Sequence, residues 1–139
     1  MSRFDLNVSS RNDFSSFLET SAEGAALFPL AKREGIVRVP VITLDDYVRR
    51  LAPEPPYILK VDTQGFDGEV LKGGEQALRD CVAVLCEVSV IPIYRNQTDW
   101  MTAIAELNRR GFELAGLYPV TRTKSLQVIE FDCLTIRTT

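Results

Sequence analysis

The sequence predicts an open α/β sheet, mostly parallel, closed by an antiparallel pair of strands at its C-terminal end. Three observations predict it. The runs 57–61, broken only by Lys60, and 82–86 are apolar without alternation, the pattern of strands buried on both faces of a parallel sheet. Segments with helical spacing separate and follow them, as crossover connections require. The stretches 112–118 and 127–137 then follow one another with no helix between, which suits two antiparallel strands.

Most of residues 1–35 reads as loop, with a short strand at 4–8, a polar loop at 9–13 and weak helical character at 16–19. Residues 36–42 are β-branched and contain Pro40, which marks an edge-like strand. Thr43 is the expected N-cap of the next helix: Asp46 stands three residues on, and Leu44, Tyr47, Val48 and Leu51 are spaced i, i+3, i+4, i+7. That helix stops at Pro53, inside the one linker-like cluster, 52–56. After strand 57–61 a helix over 66–72 breaks at Gly73-Gly74, and a second helical stretch covers 75–80. Beyond strand 82–86, a helix runs from 98 or 99 to 110. Trp100, Met101, Ile104 and Leu107 share its apolar face, and Gly111 ends it. From residue 36 onward the order is βαβαβαββ, within a single domain spanning 1–139.

Composition narrows the chemistry. A chain of 139 residues that is 45% hydrophobic and 25% charged builds one core and is not disordered or collagen-like. Sixteen basic and nineteen acidic residues give a formal charge of −3, and no run of Lys or Arg exceeds two, so no nucleic-acid partner is expected. The sequence contains no histidine. Ser-His and Cys-His nucleophilic centres and His-bearing metal sites are therefore excluded, and proton transfer falls to carboxylates, Tyr, Lys, Cys or water. Cys81, Cys86 and Cys133 are odd in number and lie among apolar neighbours, which predicts buried, reduced thiols. No signal-type segment and no apolar run near the ~20 residues of a membrane span is present, so a cytoplasmic protein without membrane contact is expected.

Ligands of open α/β sheets sit beyond the carboxyl ends of the parallel strands. Asp62 and Glu87 occupy that position on successive strands, so two carboxylates are expected on one rim as candidate catalytic groups. Oxygen ligands suit Mg²⁺, but two carboxylates make a thin donor set, and no metal site is assigned. The segment DTQGFDGE, 62–69, is the most polar in the chain. Gly65 allows a tight strand-to-helix turn, and Gln64 can both donate to and accept from an amide, a hydroxyl or a base edge. Glu69 favours the helix dipole. No GxGxxG turn exists anywhere.

The blocks VPVITLDDYV, YILKVDTQGFDGEVLKGGEQAL, VAVLCEVSVIPIY, RRGFEL and EFDCLTIR together resemble FkbM-type methyltransferases. The likeness covers about residues 4–137, with NDFSSFLE similar to the family's serine-rich segment. It implies a class I, Rossmann-like methyltransferase sheet in which the Asp62 strand is fourth and the Glu87 strand fifth of seven. It also implies S-adenosylmethionine (SAM) as cofactor and a small-molecule hydroxyl acceptor such as a sugar or polyketide. Carried over by position, Asp62 and Glu87 are the expected catalytic residues, and Asp62, Gln64, Gly65, Ser15 and Ser16 the expected cofactor-binding residues. The family's upstream glycine-rich turn and ribose-binding acid have no counterpart here. The chain thus resembles the C-terminal two-thirds of such an enzyme, and weak or undetectable SAM binding by these residues alone is expected. The alternative is a non-catalytic module that pairs with another subunit or itself through the sheet edge left open where strand one would lie.

Overall fold

In the computed structural model, which describes residues 2–138, the chain forms two sheets in a mixed α/β arrangement. The larger has four strands: β3 (Tyr57–Val61), β4 (Cys81–Ser89), β5 (Phe112–Arg122) and β6 (Val128–Arg137), in the order β3-β4-β6-β5. Only β3 and β4 are parallel; β6 runs antiparallel to both β4 and β5. The expectation of a mostly parallel sheet is corrected on this point. A short connection after β5 forces a hairpin, and β6 rather than β5 then inserts beside β4, so the reversal is felt twice.

The helices that follow β3 and β4, α3 (Asp67–Lys72) and α4 (Trp100–Arg109), pack on one face of this sheet. There Val61, Val84, Cys86 and Cys133 meet Leu71, Leu78, Leu107 and Phe112. The opposite face carries no helix of this core, and Ile58 on it is 68% exposed. Hence β3 is not buried on both sides as its apolar run predicts. Within α4, Trp100, Ile104 and Leu107 face the core, whereas Met101, a quarter turn away, is exposed. Asp99 caps this helix by accepting from Thr102 N at 3.1 Å, and Gly111 follows it at φ +83°. All three cysteines are free and buried. Cys86 lies opposite Cys133 across β4 and β6, and the neighbouring sulfur together with burial pushes the Cys86 thiol up.

The N-terminal third is more ordered than its sequence suggests. β1 (Ser2–Ser9) and β2 (Arg33–Val41) form a separate antiparallel ribbon with Ser2 opposite Val41. Pro40 is tolerated because a two-stranded ribbon leaves outer edges unpaired. No helix forms at 16–19. The helix is instead α1 (Ala22–Leu27), whose N-cap Ser21 accepts from Gly24 N at 2.8 Å. A Cβ on Gly24 would stand 2.1 Å from Ile93 O, so only glycine lets α1 lie against the loop after β4. Ile93, Tyr94 and Ile129, with Leu18, Leu27 and Phe28 around them, make a second small core at this junction. α2 (Leu44–Leu51) begins as the spacing predicts, Thr43 Oγ1 accepting from Asp46 N at 3.1 Å. Asp45 accepts from Ala77 N at 2.8 Å and so ties α2 to the 3₁₀ turn Ala77–Asp80, where a longer helical stretch is expected from sequence. Among the described residues, no helix is long and apolar enough to cross a membrane.

Candidate active site

The chain leaves β3 at Val61 and must reverse into α3 within five residues. It does so through a turn in which Phe66 N donates to Thr63 O at 3.3 Å and both central residues have positive φ, +52° at Gln64 and +85° at Gly65. Glycine suits the second position twice over: a Cβ there would approach Tyr94 Cδ2 to 2.9 Å and Gln97 Cδ to 3.2 Å. At Gln64 a positive φ costs about 1–2 kcal/mol, and such strain persists where surrounding bonds over-determine it. Three do. Gln64 O accepts from Ser16 Oγ at 2.6 Å, Gln64 Nε2 donates to Asp62 Oδ1 at 3.1 Å, and Tyr94 Oη lies 2.9 Å from Gln64 Oε1 as donor. Gln64 therefore orients Asp62, and both ends of its amide already have partners within the chain.

Ser16 comes from the opposite wall. Segment 12–18 is laid along β1 by paired backbone bonds, Asn7 N to Ser16 O at 2.8 Å and Ser16 N to Asn7 O at 3.0 Å. Ser16 is 2% exposed, and its hydroxyl also accepts from Leu18 N at 3.0 Å. Ser15 Oγ accepts from Ser9 N at 3.2 Å. Between the walls lies a cleft of about 310 Å³, with Asn12, Asp13, Ser15 and Ser16 on one side and Asp62, Thr63 and Gln64 on the other. Two segments far apart in sequence thus bring Ser15, Ser16, Asp62 and Gln64 together. Gly65 does not line this cleft; it faces a smaller hollow behind the turn, shared with Asp67 and Gln97. Ser16→Ala is expected to cost about 2 kcal/mol, because it leaves the Gln64 carbonyl and the Leu18 amide short of a partner. A lower urea midpoint at unchanged m-value is the check.

Asp62 and Glu87 do share a rim. Val61 stands opposite Cys86 in the parallel pair, which sets Asp62 beside Glu87 one step further on. β4 continues to Ser89, so Glu87 lies inside the strand rather than at its end, opposite Asp132 of β6. Its carboxyl is outside the cleft lining and turns toward Glu130. Burial, the hydrogen bond with Glu130 and the charge of Glu130 push Glu87 up to about 9, with Asp62 and Asp132 adding to the rise. At neutral pH Glu87 therefore carries its proton beside Glu130, whose Oε2 accepts from Thr121 Oγ1 at 2.8 Å. The folded state keeps this proton where an unfolded chain has lost it, so stability declines as pH climbs from about 4.5 toward 9. Glu87→Gln keeps a donor without the titration and is expected to flatten that decline. The gain near pH ~8 is about 1–2 kcal/mol after allowance for partial exposure, read from denaturation midpoints across pH.

Asp67, the first residue of α3, accepts from Thr63 N at 3.2 Å, and burial raises its carboxyl above the usual range. Lys60 Nζ lies 3.6 Å from Asp62 Oδ2 in an exposed pair that contributes little to stability. Among the described residues, no three His, Cys, Asp or Glu side chains gather as a metal would require, so the Mg²⁺ reading finds no donor set.

Three residues of this neighbourhood escape sequence reasoning. Tyr94, 2% exposed, spans from the Gln64 amide to within 3.1 Å of Phe14 O, and burial lifts its hydroxyl above the usual phenol range. Gln97 Oε1 accepts from Ile93 N and Tyr94 N, while its Nε2 donates to Ser89 Oγ at 2.7 Å. Both sit in an irregular loop with no periodicity to read. Glu130 looks like an ordinary strand acid until the β4–β6 register sets it opposite Ser89, on the face that carries Glu87.

No curated protein and no solved structure matches the chain. The methyltransferase FkbM domain does match, over residues 2–114, a span that includes both walls of the cleft, β3, β4 and α4. The closing block EFDCLTIR, in β6, lies beyond the matched residues. With most of its length inside the match, the chain belongs to the FkbM methyltransferase family.

Proposed function

We propose that the cleft between segment 12–17 and the Asp62–Gln64 turn is where a hydroxyl group of a small molecule, such as a sugar or polyketide, is methylated with SAM as donor. The observation that carries the reading is the tie between Ser16 Oγ and Gln64 O, which joins the serine-rich segment to the post-strand turn across the cleft. The parallel pair β3–β4 fits the place of the fourth and fifth strands of a Rossmann-like class I methyltransferase sheet, this chain representing the C-terminal part of that domain.

The donor set suits the cofactor. Two carboxylates, Asp13 and Asp62, line the cleft together with Asn12, Ser15, Ser16 and Gln64, and none of the lining residues is a cation. Arg11 pairs with Asp13 at 2.6 Å and Lys60 with Asp62 at 3.6 Å, so the wall offers hydrogen-bonding groups suited to hydroxyls rather than a bare negative field. When bound, SAM supplies a methyl group on a sulfonium centre that is already electrophilic. The chain's own task is then to align the acceptor and to take its proton. Asp62 takes the proton that the acceptor oxygen loses, while Gln64 Nε2 holds Oδ1 and leaves Oδ2, 3.6 Å from the exposed Lys60 Nζ, as the oxygen that receives it. Glu87 holds its own proton at neutral pH, so it supports the rim through Glu130 and leaves base duty to Asp62.

Incubation of the chain with SAM and a panel of hydroxylated sugars and polyketides tests this by mass. The expected product gains one methylene at oxygen. Methylation at nitrogen contradicts the reading, as does silence across the panel from protein shown to bind SAM.

One observation favours the second reading, association through an open edge. β3 is an outer strand of the four-stranded sheet, with Ile58 and Lys60 exposed on it. Sedimentation velocity at high concentration checks this, and a clean monomer rules it out.

A further inference from the structure

Beside the polar cleft runs an apolar groove of about 420 Å³, walled by Phe4 of β1, Val41 at the end of β2, Leu44 and Tyr47 of α2, and Phe66 and Val70 at α3. Its size is that of a small-molecule site. Two of its polar neighbours are already engaged: Thr43 Oγ1 accepts from Asp46 N, and Glu69 pairs with Lys72 at 2.6 Å. Tyr47 remains 53% exposed although it belongs to the apolar stripe of α2. The helix therefore presents part of that stripe to an open groove instead of burying it.

The groove and the cleft meet at one ridge. Phe4 and Leu6 lie two residues apart on β1 and so share a face; Phe4 lines the groove and Leu6 the cleft. The Phe17 ring, on the cleft side, stands 5.1 Å from Phe66 and 5.9 Å from Phe4, on the groove side. At the rise of an extended strand, the two lining positions on β1 are about 7 Å apart. One small molecule spans that distance.

Building on the hydroxyl-methylation reading for the polar end, we propose that the groove is a subsite for the uncharged, apolar portion of an amphipathic acceptor whose hydroxylated end reaches Asp62. The aromatic walls supply area for burial, and no Lys or Arg lines the groove to hold an anionic tail.

Octyl β-glucoside below its micelle concentration and methyl β-glucoside share one head group and differ only in the tail. Titrating each into the chain and following amide NMR shifts tests the proposal without SAM. The octyl compound is expected to bind at least about tenfold more tightly, since each buried methylene adds to affinity. The extra shifts should fall on Phe4, Val41, Tyr47 and Phe66. Tyr47→Ala and Tyr47→Asp, both at an exposed position, should remove that advantage while the signals of Leu107 and Phe112 stay in place. Equal affinity for the two glucosides overturns the subsite, as do tail-dependent shifts centred on Ile58 of β3 and Ile136 of β6, both exposed on the open face of the four-stranded sheet, or a dimer whose seam is Tyr47. The two readings fail separately. Tail-dependent binding at the groove with no methylation sinks the activity and upholds the subsite; methylation of short polar acceptors with no gain from a tail does the reverse.

Discussion

Replacing Asp62 by Asn is expected to lower methyl transfer to a hydroxyl acceptor by about 10²–10⁴-fold while SAM affinity stays within about twofold. The substitution keeps the size of the side chain and its oxygen acceptor for Gln64 Nε2, 3.1 Å away in the native chain. It removes the proton acceptor together with the carboxylate charge, whose partner is the exposed Lys60 3.6 Å away. Single-turnover rates and a separate SAM titration check the two halves of the expectation. A loss of SAM affinity at unchanged single-turnover rate would assign Asp62 to holding the cofactor, and no change in either would make it a structural acid. Glu87→Gln provides the contrast. Because Glu87 is already neutral near pH 7, held there by burial and Glu130, its amide variant should retain most of the turnover and show its effect in the pH dependence of stability.

Gly65→Ala is expected to destabilise the fold by about 2–4 kcal/mol, from two additive causes: a β-carbon at positive φ and a steric clash in a packed turn. The backbone φ is +85°, and the new carbon would meet the Tyr94 ring at 2.9 Å. Relief would push Tyr94 away from Gln64 and loosen the hold on Asp62, so activity should fall more than stability alone explains. Gly35→Ala is the control. That glycine has no atom within 4 Å of a built β-carbon, and its substitution should change stability by less than about 0.5 kcal/mol. Equal effects at the two positions would contradict the account of the turn.

What the sequence made legible was local. Thr43 announces its helix because a capping side chain and the amide it satisfies lie three residues apart, and the helix after β4 is announced by its apolar spacing and Gly111, with Asp99 emerging as its cap in the structure. Asp62 is legible because an apolar run stops abruptly on an acid followed by a glycine. The strand order is not, because nothing in 112–137 says which strand of the hairpin lies beside β4; that depends on contacts across the sheet. The apolar run at 57–61 misleads in the same way. Helices cover one face only, and Ile58 is left open on the other. In the site, Ser15 and Ser16 come from family resemblance, while the bond that gives Ser16 its place spans 48 residues. Tyr94, Gln97 and Glu130 act through loop geometry and register, for which a single sequence carries no periodic signal.

In the proposed function, segment 12–17 and the turn after β3 act as one binding wall. Amide NMR titration of the chain with S-adenosylhomocysteine, the unreactive counterpart of the cofactor, tests it most directly. Any binding is expected to be weak and saturable, with shifts concentrated on residues 12–17 and 62–65 together and diminished by Ser16→Ala. Saturable shifts confined to any other surface, or shifts on 12–17 and 62–65 that Ser16→Ala leaves intact, would contradict it.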